Sequence, residues 1–386
     1  MSKYTYEKLN ILEPAFASNL TQLIMNLDHL RKKRLGGTTH VKLFFQLKDI
    51  FHMLESIGSA RIEGNHTTIA DYIETKIDKP KKETENIKQI RNLELAMDFI
   101  DDNINSTLIN EAFIRELHKK VVVGLSPNDE GDHTPGKYRM NNIKIKGASH
   151  IPPDYAQVQD YMQELNEFMN SELPQQYDLL KIALAHHRFV WIHPFHNGNG
   201  RTVRLLTYAQ LVKSGFKVRE GRIINPTAVF CIDRNKYNEF LAKADTGEEK
   251  KLLEWCEYVL IGLKQEIEKV DKLTNYKYLK ENILLPAIDF SLERKFITKT
   301  EAEILRIAVR NDNKQTFQAS DLKNIFPTKS PLYISRQIKR LKDKNMILPE
   351  KRKSRKYLIN FGSSYILRGV MKVLDDCGFL PLTNEV

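Results

Sequence analysis

The chain has 386 residues, of which 41% are apolar, so it is long enough for roughly two or three domains whose cores need no disulfides. No apolar run is long enough to cross a bilayer, and the N-terminus lacks the apolar stretch of a secretory signal. The three cysteines (Cys231, Cys256 and Cys377) form no CxxC pair, which disfavours a disulfide framework or a cysteine-based zinc site and fits a reducing cytoplasm. Of the net charge of +11, +10 lies in residues 291–386, so a nearly neutral body is predicted to carry a basic C-terminal module.

Apolar residues recur at helical spacing along most of the body, so a mainly α-helical fold is predicted. In the second helix, for example, the apolar residues step by three or four from Leu43 to Ile57. Helices are predicted over residues 14–34, from Val41 to about 59, from about Thr68, and over 86–102, 110–123, 155–170, 178–192, 200–213, 235–243 and 248–272.

A change of character follows the fifth predicted helix. Gly, Pro, Asp and Asn cluster over residues 124–136, which is typical of a loop. The next segment, KYRMNNIKIKG at 137–147, alternates briefly at Ile143 and Ile145. A β-hairpin is therefore predicted here, with its turn near Met140–Asn142.

The C-terminal module has the element order of a winged helix-turn-helix, namely three helices and then a β-hairpin. The predicted helices cover 299–310, 321–325 with Ser320 as the cap, and 332–344, and the strands cover 346–348 and 357–359. The predicted domains are an N-terminal helical region at 1–85, a helical core at 86–272, a linker helix region at 273–297, and the winged helix with the C-terminal tail at 298–386.

The sequence HPFHNGNGRTVR, residues 193–204, carries the strongest chemical signal. Its GNG turn, residues 198–200, precedes a helix, where free backbone N–H groups and the positive end of the helix dipole attract an anion. Arg201 and Arg204 lie three apart and therefore project on a similar side of the first turn. Two guanidinium groups beside such a turn favour a polyphosphate over a lone carboxylate.

Two other residues of this segment could take part in chemistry. His193 could accept a proton at neutral pH, and Asn197 could offer an oxygen to Mg²⁺. Together with the anion site, these are the parts of a reaction in which a hydroxyl attacks a phosphate chain. The alternative interpretations are a zinc site that uses His186, His187, His193 and His196, and a purely structural pair of arginines.

The segment resembles the signature of the Fic domain, HxFx(D/E/N)GNGRxxR, and the resemblance extends over roughly residues 40–260. Most Fic enzymes transfer AMP from ATP to a Ser, Thr or Tyr hydroxyl of a protein. The resemblance implies a mainly α fold, with a Fic-type helical core, a β-hairpin flap and the winged helix appended. It further implies a protein adenylyltransferase with ATP as substrate, Mg²⁺ as metal, and a target protein, which could be another copy of the chain, as partner.

The resemblance also implies a role for each residue of the signature. His193 would deprotonate the target hydroxyl, and Phe195 would anchor the loop. Asn197 would bind Mg²⁺ less strongly than the acidic residue that most AMP-transferring members have here, because an amide brings no charge. The phosphates would be held by the turn Gly198, Asn199 and Gly200 and by the arginines Arg201 and Arg204.

A second motif lies before the core. The segment from Ser59 to Gly64 fits (S/T)xxxE(G/N), the inhibitory motif of Fic proteins, although on its own it is equally typical of a helix end with Gly64 after the last turn. If the motif is inhibitory, Glu63 pairs with Arg204 and excludes the γ-phosphate, so that the α-phosphate is misaligned for attack. In some family members the same glutamate positions water for removal of AMP.

Two other candidate sites are expected from the resemblance. Tyr237 and Asn238 lie in the segment 233–241, which is similar to the family segment that flanks adenine, although a core tyrosine is an equal alternative. The flap residues Ile143, Lys144 and Ile145 would pair with an extended segment of the target by β-augmentation.

The basic charge of the C-terminal module is concentrated on the third helix and the following turn. Such a pattern fits double-stranded DNA, with the helix in the major groove and the wing on the backbone, and it fits a protein-docking module as the alternative. The candidate nucleic-acid residues are Arg336, Lys339, Arg340, Lys351, Arg352, Lys353, Arg355 and Lys356.

The main alternative to the transferase is an ATP-sensing, DNA-binding transcriptional regulator with little catalysis. Others are an enzyme that removes AMP and one that uses another donor such as phosphocholine. The intact His193 favours an enzyme, because a sensor needs the phosphate clamp but no base. A homodimer is expected by family analogy alone, a cytoplasmic location by the cysteine pattern, and no membrane partner is expected.

Overall fold

Helices dominate the residues that this computed structural model describes, which are 8–32, 37–78, 80, 82–145, 147–216, 229–230 and 233–379. The helices are α1 (Asn19–Lys32), α2 (Val41–Ile62), α3 (Ile69–Asp78), α4 (Glu85–Asn103), α5 (Glu111–Val122), α6 (Val158–Met169), α7 (Asp178–Ile192), α8 (Asn199–Lys213), α9 (Arg234–Ala244), α10 (Glu249–Thr274), α11 (Tyr276–Leu279), α12 (Leu285–Glu293), α13 (Lys299–Arg310), α14 (Pro331–Asp343) and α15 (Leu367–Asp376). Short 3₁₀ turns cover Tyr155–Gln157, Gln175–Tyr177 and Ala319–Asn324, and a π-helical turn covers Lys280–Leu284.

The chain divides into two units that do not follow chain order. The first comprises Met1–Lys33, His52–Thr67 and Pro80–Ile267, and the second comprises Arg34–Phe51, Thr68–Lys79 and Glu268–Val386. Helix α2 is therefore divided: its residues up to Phe51 belong to the second unit, and those from His52 onward belong to the first. The domain boundaries expected from the sequence stay predictions.

Helices α7 and α8 form the centre of the first unit. They pack against each other, α6 covers α7, and α4 and α5 pack on α8. The sequence of α7 is apolar around most of its circumference, and 12 of its 15 residues are buried accordingly. The loop that joins α7 to α8 is thus held between two buried helices, which fixes the position of every residue in the predicted signature.

The second unit contains the basic module. Strands β1 (Ile347–Pro349) and β2 (Tyr357–Ile359) pair antiparallel, with Leu348 opposite Leu358. Helix α13 begins with a capping box between Thr298 and Glu301. Helix α14 buries its apolar face, which consists of Ile334, Ile338 and Leu341. The element order expected for this module is therefore present, and its assignment as a winged helix stays a prediction.

Two local expectations differ from the structure. The predicted hairpin at 137–151 has no strand among the residues described there, because its alternation is only two isoleucines long and no neighbouring strand supports it. The predicted helix at 321–325 is a 3₁₀ turn that begins one residue before Ser320. Its cap is Gln318, because the Asp321 carboxylate accepts the backbone N–H of Gln318 at 2.8 Å.

Among the residues that the structure describes, no helix combines the length and the apolar character that a membrane span requires.

Candidate active site

The loop between α7 and α8 is shaped by two residues in the left-handed backbone region. His193 ends α7 with φ of 51°, and its backbone N–H donates to the carbonyl of Phe189 at 3.0 Å. Gly198 precedes α8 with φ of 72°, and a side chain there would also press on Val122. The two positions turn the chain sharply twice, so that the start of α8 faces the end of α7.

A side-chain clamp closes this loop. The Asn199 Oδ1 atom accepts the backbone N–H of Phe195 at 2.9 Å, and Asn199 Nδ2 donates to the Phe195 carbonyl at 2.9 Å. The Phe195 ring is fully buried and stacks on His118, with ring centroids 3.7 Å apart. Phe195 is therefore an anchor, as expected, and the Asn199 side chain shapes the loop while its backbone begins the helix.

His118 supports the same loop from α5, and no motif or spacing in the sequence marks it. Its Nδ1 accepts the backbone N–H of Gly136 at 2.8 Å, so its Nε2 carries the proton and donates to the Asn197 carbonyl at 3.0 Å. Burial lowers the pKa of His118 to about 4, which keeps the ring neutral and preserves this pattern at physiological pH.

His193 presents a free ring nitrogen to the site. Its Nδ1 lies 3.3 Å from the carbonyl of Val190, a geometry in which Nδ1–H donates and Nε2 is left as an acceptor. Burial lowers the pKa of His193 to about 4, so the ring is neutral at pH 7. A neutral imidazole with an available Nε2 is the form that a general base requires.

Arg139 ties the segment after residue 136 to the loop between α7 and α8. Its Nε donates to the His193 carbonyl at 3.0 Å, its Nη2 donates to the Pro153 carbonyl at 2.6 Å, and its backbone N–H donates to the Pro194 carbonyl at 2.8 Å. The side chain is only 1% exposed. This arginine takes the place of the expected hairpin hydrogen bonds in fixing the segment. Within it, Ile143 and Ile145 are half-buried and Lys144 is exposed.

Arg204 is paired with the segment that the sequence identifies as inhibitory. Its Nη2 lies 2.6 Å from Glu63 Oε1, its Nε donates to Ser59 Oγ at 2.8 Å, and Nη2 also donates to the Ser59 carbonyl at 2.9 Å. Burial acts to raise the pKa of Glu63, but the charges of Arg204 and Arg201 hold it below its ordinary value. Glu63 is therefore ionised and bound to the guanidinium at neutral pH.

Two glycines make this pairing possible. Gly64 has φ of 96° and follows the last turn of α2, so the chain leaves the helix just after Glu63. A Cβ atom on Gly200 would overlap Glu63 Oε1 and lie 3.1 Å from Arg204 Nη1. The carboxylate thus occupies the space above the first turn of α8, where the sequence predicts an anion.

Arg201 has a different partner, which sequence reasoning missed. Its Nη2 lies 2.7 Å from Glu130 Oε2 and donates to the Glu130 carbonyl at 3.0 Å. The Nε and Nη1 atoms of Arg201 are buried and have no hydrogen-bond partner among the described residues. A buried arginine needs a counter-charge, so the acidic loop at 124–136 was the available signal. The unsatisfied donors fit an incoming phosphate oxygen.

Asn197 offers at most one oxygen to a metal. Its Oδ1 accepts the backbone N–H of Gly198 at 2.7 Å, and its Nδ2 donates to the Asp129 carbonyl at 2.6 Å. Among the described residues, no group of three or more His, Cys, Asp or Glu side chains could hold a metal ion. Mg²⁺ commonly keeps water and phosphate ligands, so one amide oxygen fits an ion that arrives with a nucleotide.

The alternative zinc interpretation is not supported by the partners of the other histidines. His186 donates from Nδ1 to Thr207 Oγ1 at 2.7 Å, because that hydroxyl already donates to the Val203 carbonyl. His187 Nε2 lies 3.0 Å from Asp245 Oδ1. Both rings are buried and serve the core.

Tyr237 lies behind the phosphate clamp. Its hydroxyl donates to His186 Nε2 at 2.9 Å and also interacts with Arg204, and the side chain is buried. Asn238 is exposed. The structure thus gives Tyr237 the surroundings of the core alternative, with an added contact to Arg204. An adenine-binding role for these two residues stays a prediction.

The eight nucleic-acid candidates of the second unit are all exposed. On α14, Arg336, Lys339 and Arg340 lie opposite the buried apolar face. The other five lie in the turn between β1 and β2, where Lys353 has φ of 66°. Among the residues that the structure describes, Arg340 Nε lies 3.2 Å from Glu301 Oε1, and the other seven cations are exposed to solvent.

Comparison with known proteins agrees with this geometry. The sequence model of the Fic/DOC family matches residues 108–211, which include α7, the loop and most of α8. The Protein adenylyltransferase Fic of Drosophila willistoni is 32% identical over 202 residues, and the same holds for that of Drosophila melanogaster. Each match covers 51% of this chain and 37% of the relative, so the chain spans well under half of the curated relatives it matches.

Solved structures show the same fold. A Fic family protein from Desulfovibrio desulfuricans G20 has a TM-score of 0.56 at 17% identity, with 92% of this chain and 98% of that chain covered. A Fic domain containing signaling protein from Bacteroides thetaiotaomicron VPI-5482 has a TM-score of 0.52 at 18% identity, with 67% of this chain and 97% of that chain covered. The predicted mainly α, Fic-type fold is thereby confirmed, and the identity is too low to transfer more than the fold.

Proposed function

We propose that this Fic protein is an autoinhibited protein adenylyltransferase, which transfers AMP from ATP to a Ser, Thr or Tyr hydroxyl of a target protein. The observation that carries the proposal is the pairing of a neutral His193 with a phosphate clamp whose space is filled by Glu63. The sequence similarity to proteins named adenylyltransferases supports the choice of AMP as the transferred group.

The reaction needs a base, a nucleophile and a leaving group in line. His193 Nε2 would take the proton of the target hydroxyl as its oxygen attacks the α-phosphorus. The bond from the α-phosphorus to the bridging oxygen would break, and pyrophosphate would leave with the electron pair. Arg201 and Arg204 would bind the β- and γ-phosphates and stabilise the negative charge that develops on the leaving group.

Asn197 would supply the one protein oxygen to Mg²⁺ bound with the nucleotide, and the ion would neutralise part of the phosphate charge. The Gly198–Gly200 turn would present backbone N–H groups to the same phosphates. Asn199 would hold this turn in place through its two side-chain hydrogen bonds to the backbone of Phe195.

Glu63 would inhibit by occupying Arg204. A carboxylate and a γ-phosphate on one guanidinium repel each other, and a nucleotide displaced from Arg204 loses its in-line geometry. We therefore expect Glu63→Gly to raise transfer by about 10-fold or more. Ser59→Ala removes the hydrogen bond that Ser59 Oγ accepts from Arg204 but leaves the Glu63–Arg204 ion pair in place, so a smaller increase is expected.

The test uses ATP labelled on the α-phosphate, Mg²⁺, and cell lysate as a source of targets. Wild type, Glu63→Gly, and Glu63→Gly combined with His193→Ala or His193→Asn are compared for labelled protein. We expect strong label with Glu63→Gly and a loss of about 10²- to 10⁴-fold in both double variants. Asn tolerates the left-handed backbone of residue 193, so it separates loss of the base from loss of the fold.

Each other outcome points elsewhere. Label that is lost faster from a pre-labelled target with wild type than with Glu63→Gly would assign AMP removal to Glu63. No label in any lane, with ATP binding demonstrated, would contradict the transferase and favour an ATP-sensing regulator or another donor.

A second candidate function is DNA binding by the second unit. It is favoured by the exposure of all eight basic candidates on α14 and the β1–β2 turn. Phosphate contacts of this kind bind DNA in a salt-dependent manner, whereas a protein-docking module need not do so. A cytoplasmic location and a homodimer stay predictions.

A further inference from the structure

The second arginine of the clamp is also occupied by a carboxylate. Glu130 contacts Arg201 through Oε2 and through its backbone carbonyl, at 2.7 and 3.0 Å from Nη2. The Glu130 side chain is 27% exposed whereas that of Arg201 is 1% exposed. Glu130 is thus more accessible than the buried cation whose Nη2 it holds, while the Nε and Nη1 atoms of Arg201 have no partner among the described residues.

Glu130 is held in this position by a buried chain of amides. Gln89 Nε2 donates to Glu130 Oε2 at 3.0 Å, and Gln89 Oε1 accepts from Asn65 Nδ2. Asn65 follows Gly64 directly, and its backbone N–H donates to the Ala60 carbonyl at 3.1 Å. Gln89 and Asn65 are 1% and 4% exposed. The turn that carries Glu63 is therefore connected to Glu130 by two consecutive side-chain hydrogen bonds.

The charges of the site explain why this connection matters. Two arginines face two carboxylates, so the clamp is neutralised when no nucleotide is bound. A triphosphate would add negative charge beside both carboxylates, and its oxygens would compete with Glu130 for Arg201. Removing Glu63 alone takes the carboxylate away from Arg204 but leaves Arg201 with its own carboxylate.

We propose that Glu130 is a second inhibitory residue, which restrains the β-phosphate position at Arg201 and is held in place by the Asn65–Gln89 relay from the inhibitory turn. This inference rests on the proposed function for the identity of the anion, a nucleoside triphosphate. Inhibition then consists of two carboxylates on two arginines, and movement of the turn after α2 releases both.

Binding of ATP and of inorganic tripolyphosphate, measured by calorimetry with and without Mg²⁺, tests the proposal. Glu130→Gln keeps the shape of the side chain and removes its charge, so we expect both ligands to bind about 10-fold more tightly than to wild type. Glu130→Gln combined with Glu63→Gly should bind more tightly than either single variant. Glu116→Gln, an exposed carboxylate of α5, is the matched control and should leave binding unchanged.

The relay is tested by a double-mutant cycle. Asn65→Ala should tighten binding of tripolyphosphate in the wild-type background and have a clearly smaller effect in the Glu130→Gln background, because the part of its effect that the relay carries acts through Glu130. Equal effects in both backgrounds would overturn the relay. Melting curves of all variants show whether each is folded, and Asn65→Ala tests the proposal independently if Glu130→Gln is not.

The results separate this proposal from the proposed function. Unchanged or weaker binding by Glu130→Gln without Mg²⁺ would overturn the inhibitory role, and weakening confined to Mg²⁺ would identify Glu130 as a metal ligand instead. Tighter binding by Glu130→Gln would support the inhibitory role even if Glu63→Gly transfers no AMP, in which case only the transferase would be wrong.

Discussion

Arg201 and Arg204 at the start of α8 carry the same charge as the cations of α14 and the β1–β2 turn, in opposite surroundings. The two clamp arginines are 1% exposed and each contacts a carboxylate, Glu130 or Glu63. The cations of the basic module are exposed to water. Burial makes a counter-charge obligatory, whereas water satisfies an exposed cation. A pair of arginines in a sequence therefore predicts a carboxylate partner within the same chain only where the helix that carries the arginines is buried.

The largest difference between the two regions is expected when one arginine is removed from each. Arg204→Ala leaves Glu63 beside the buried Arg201 without its main partner, so we expect the free energy of unfolding to fall by about 3 kcal/mol. Arg336→Ala removes an exposed side chain of α14, and a change within about 0.5 kcal/mol is expected. Chemical denaturation of the full chain measures both. Equal losses would show that burial does not distinguish the two regions.

The salt dependence of DNA binding tests the role of the exposed cations. If the basic module binds double-stranded DNA, the logarithm of the association constant should fall linearly with the logarithm of salt concentration. Lys351→Gln combined with Arg352→Gln should reduce that slope by about 1 for each lost phosphate contact, with AMP transfer unchanged. Fluorescence anisotropy with a labelled duplex measures the slope, and Glu350→Gln is the neighbouring control. Binding without salt dependence would favour protein docking.

The smallest expected effect is the response of the site to pH. Burial lowers the pKa of His193 to about 4, from an ordinary value of 6.5. Protonated His193 cannot accept a proton, so transfer should fall only as pH falls through the lowered value and should be level between pH 6 and 8. The rate of the Glu63→Gly variant over pH 4.5–8 measures this. An acid limb centred near 6.5 would contradict it.

Most of what the sequence predicts about the site is local. The residue types and spacing within 193–204 predict an anion site and a candidate base, both of which stay predictions, and the family resemblance adds Phe195 as the anchor of the same loop. The pairing of Glu63 with Arg204 was also predicted, since a recognised motif supplied it. Glu130, His118 and Arg139 were missed, because packing of distant segments brings them to the loop and no periodicity marks them.

In the segment expected to form the flap, the sequence predicts a structure that the described residues do not form. Two alternating residues, Ile143 and Ile145, suggested a hairpin, but the pattern was too short to specify strand pairing. Arg139 instead fixes the segment through backbone carbonyls, which any sequence provides. Such contacts leave no trace in a pattern of apolar and polar residues.

Because Gly200 has no side chain, the space above it affects the nucleotide concentration that the protein would need. The space above Gly200 holds the Glu63 carboxylate, so under the proposed function a γ-phosphate reaches Arg204 only when that carboxylate withdraws. For a nucleotide whose γ-phosphate contacts Arg204, the apparent dissociation constant is then the intrinsic constant divided by the fraction of molecules in which Glu63 has withdrawn. If Glu63 withdrew in about 1% of molecules, half-occupancy would require about 100 times the intrinsic nucleotide concentration. The space left by this glycine would thereby couple productive nucleotide binding to the withdrawal of Glu63.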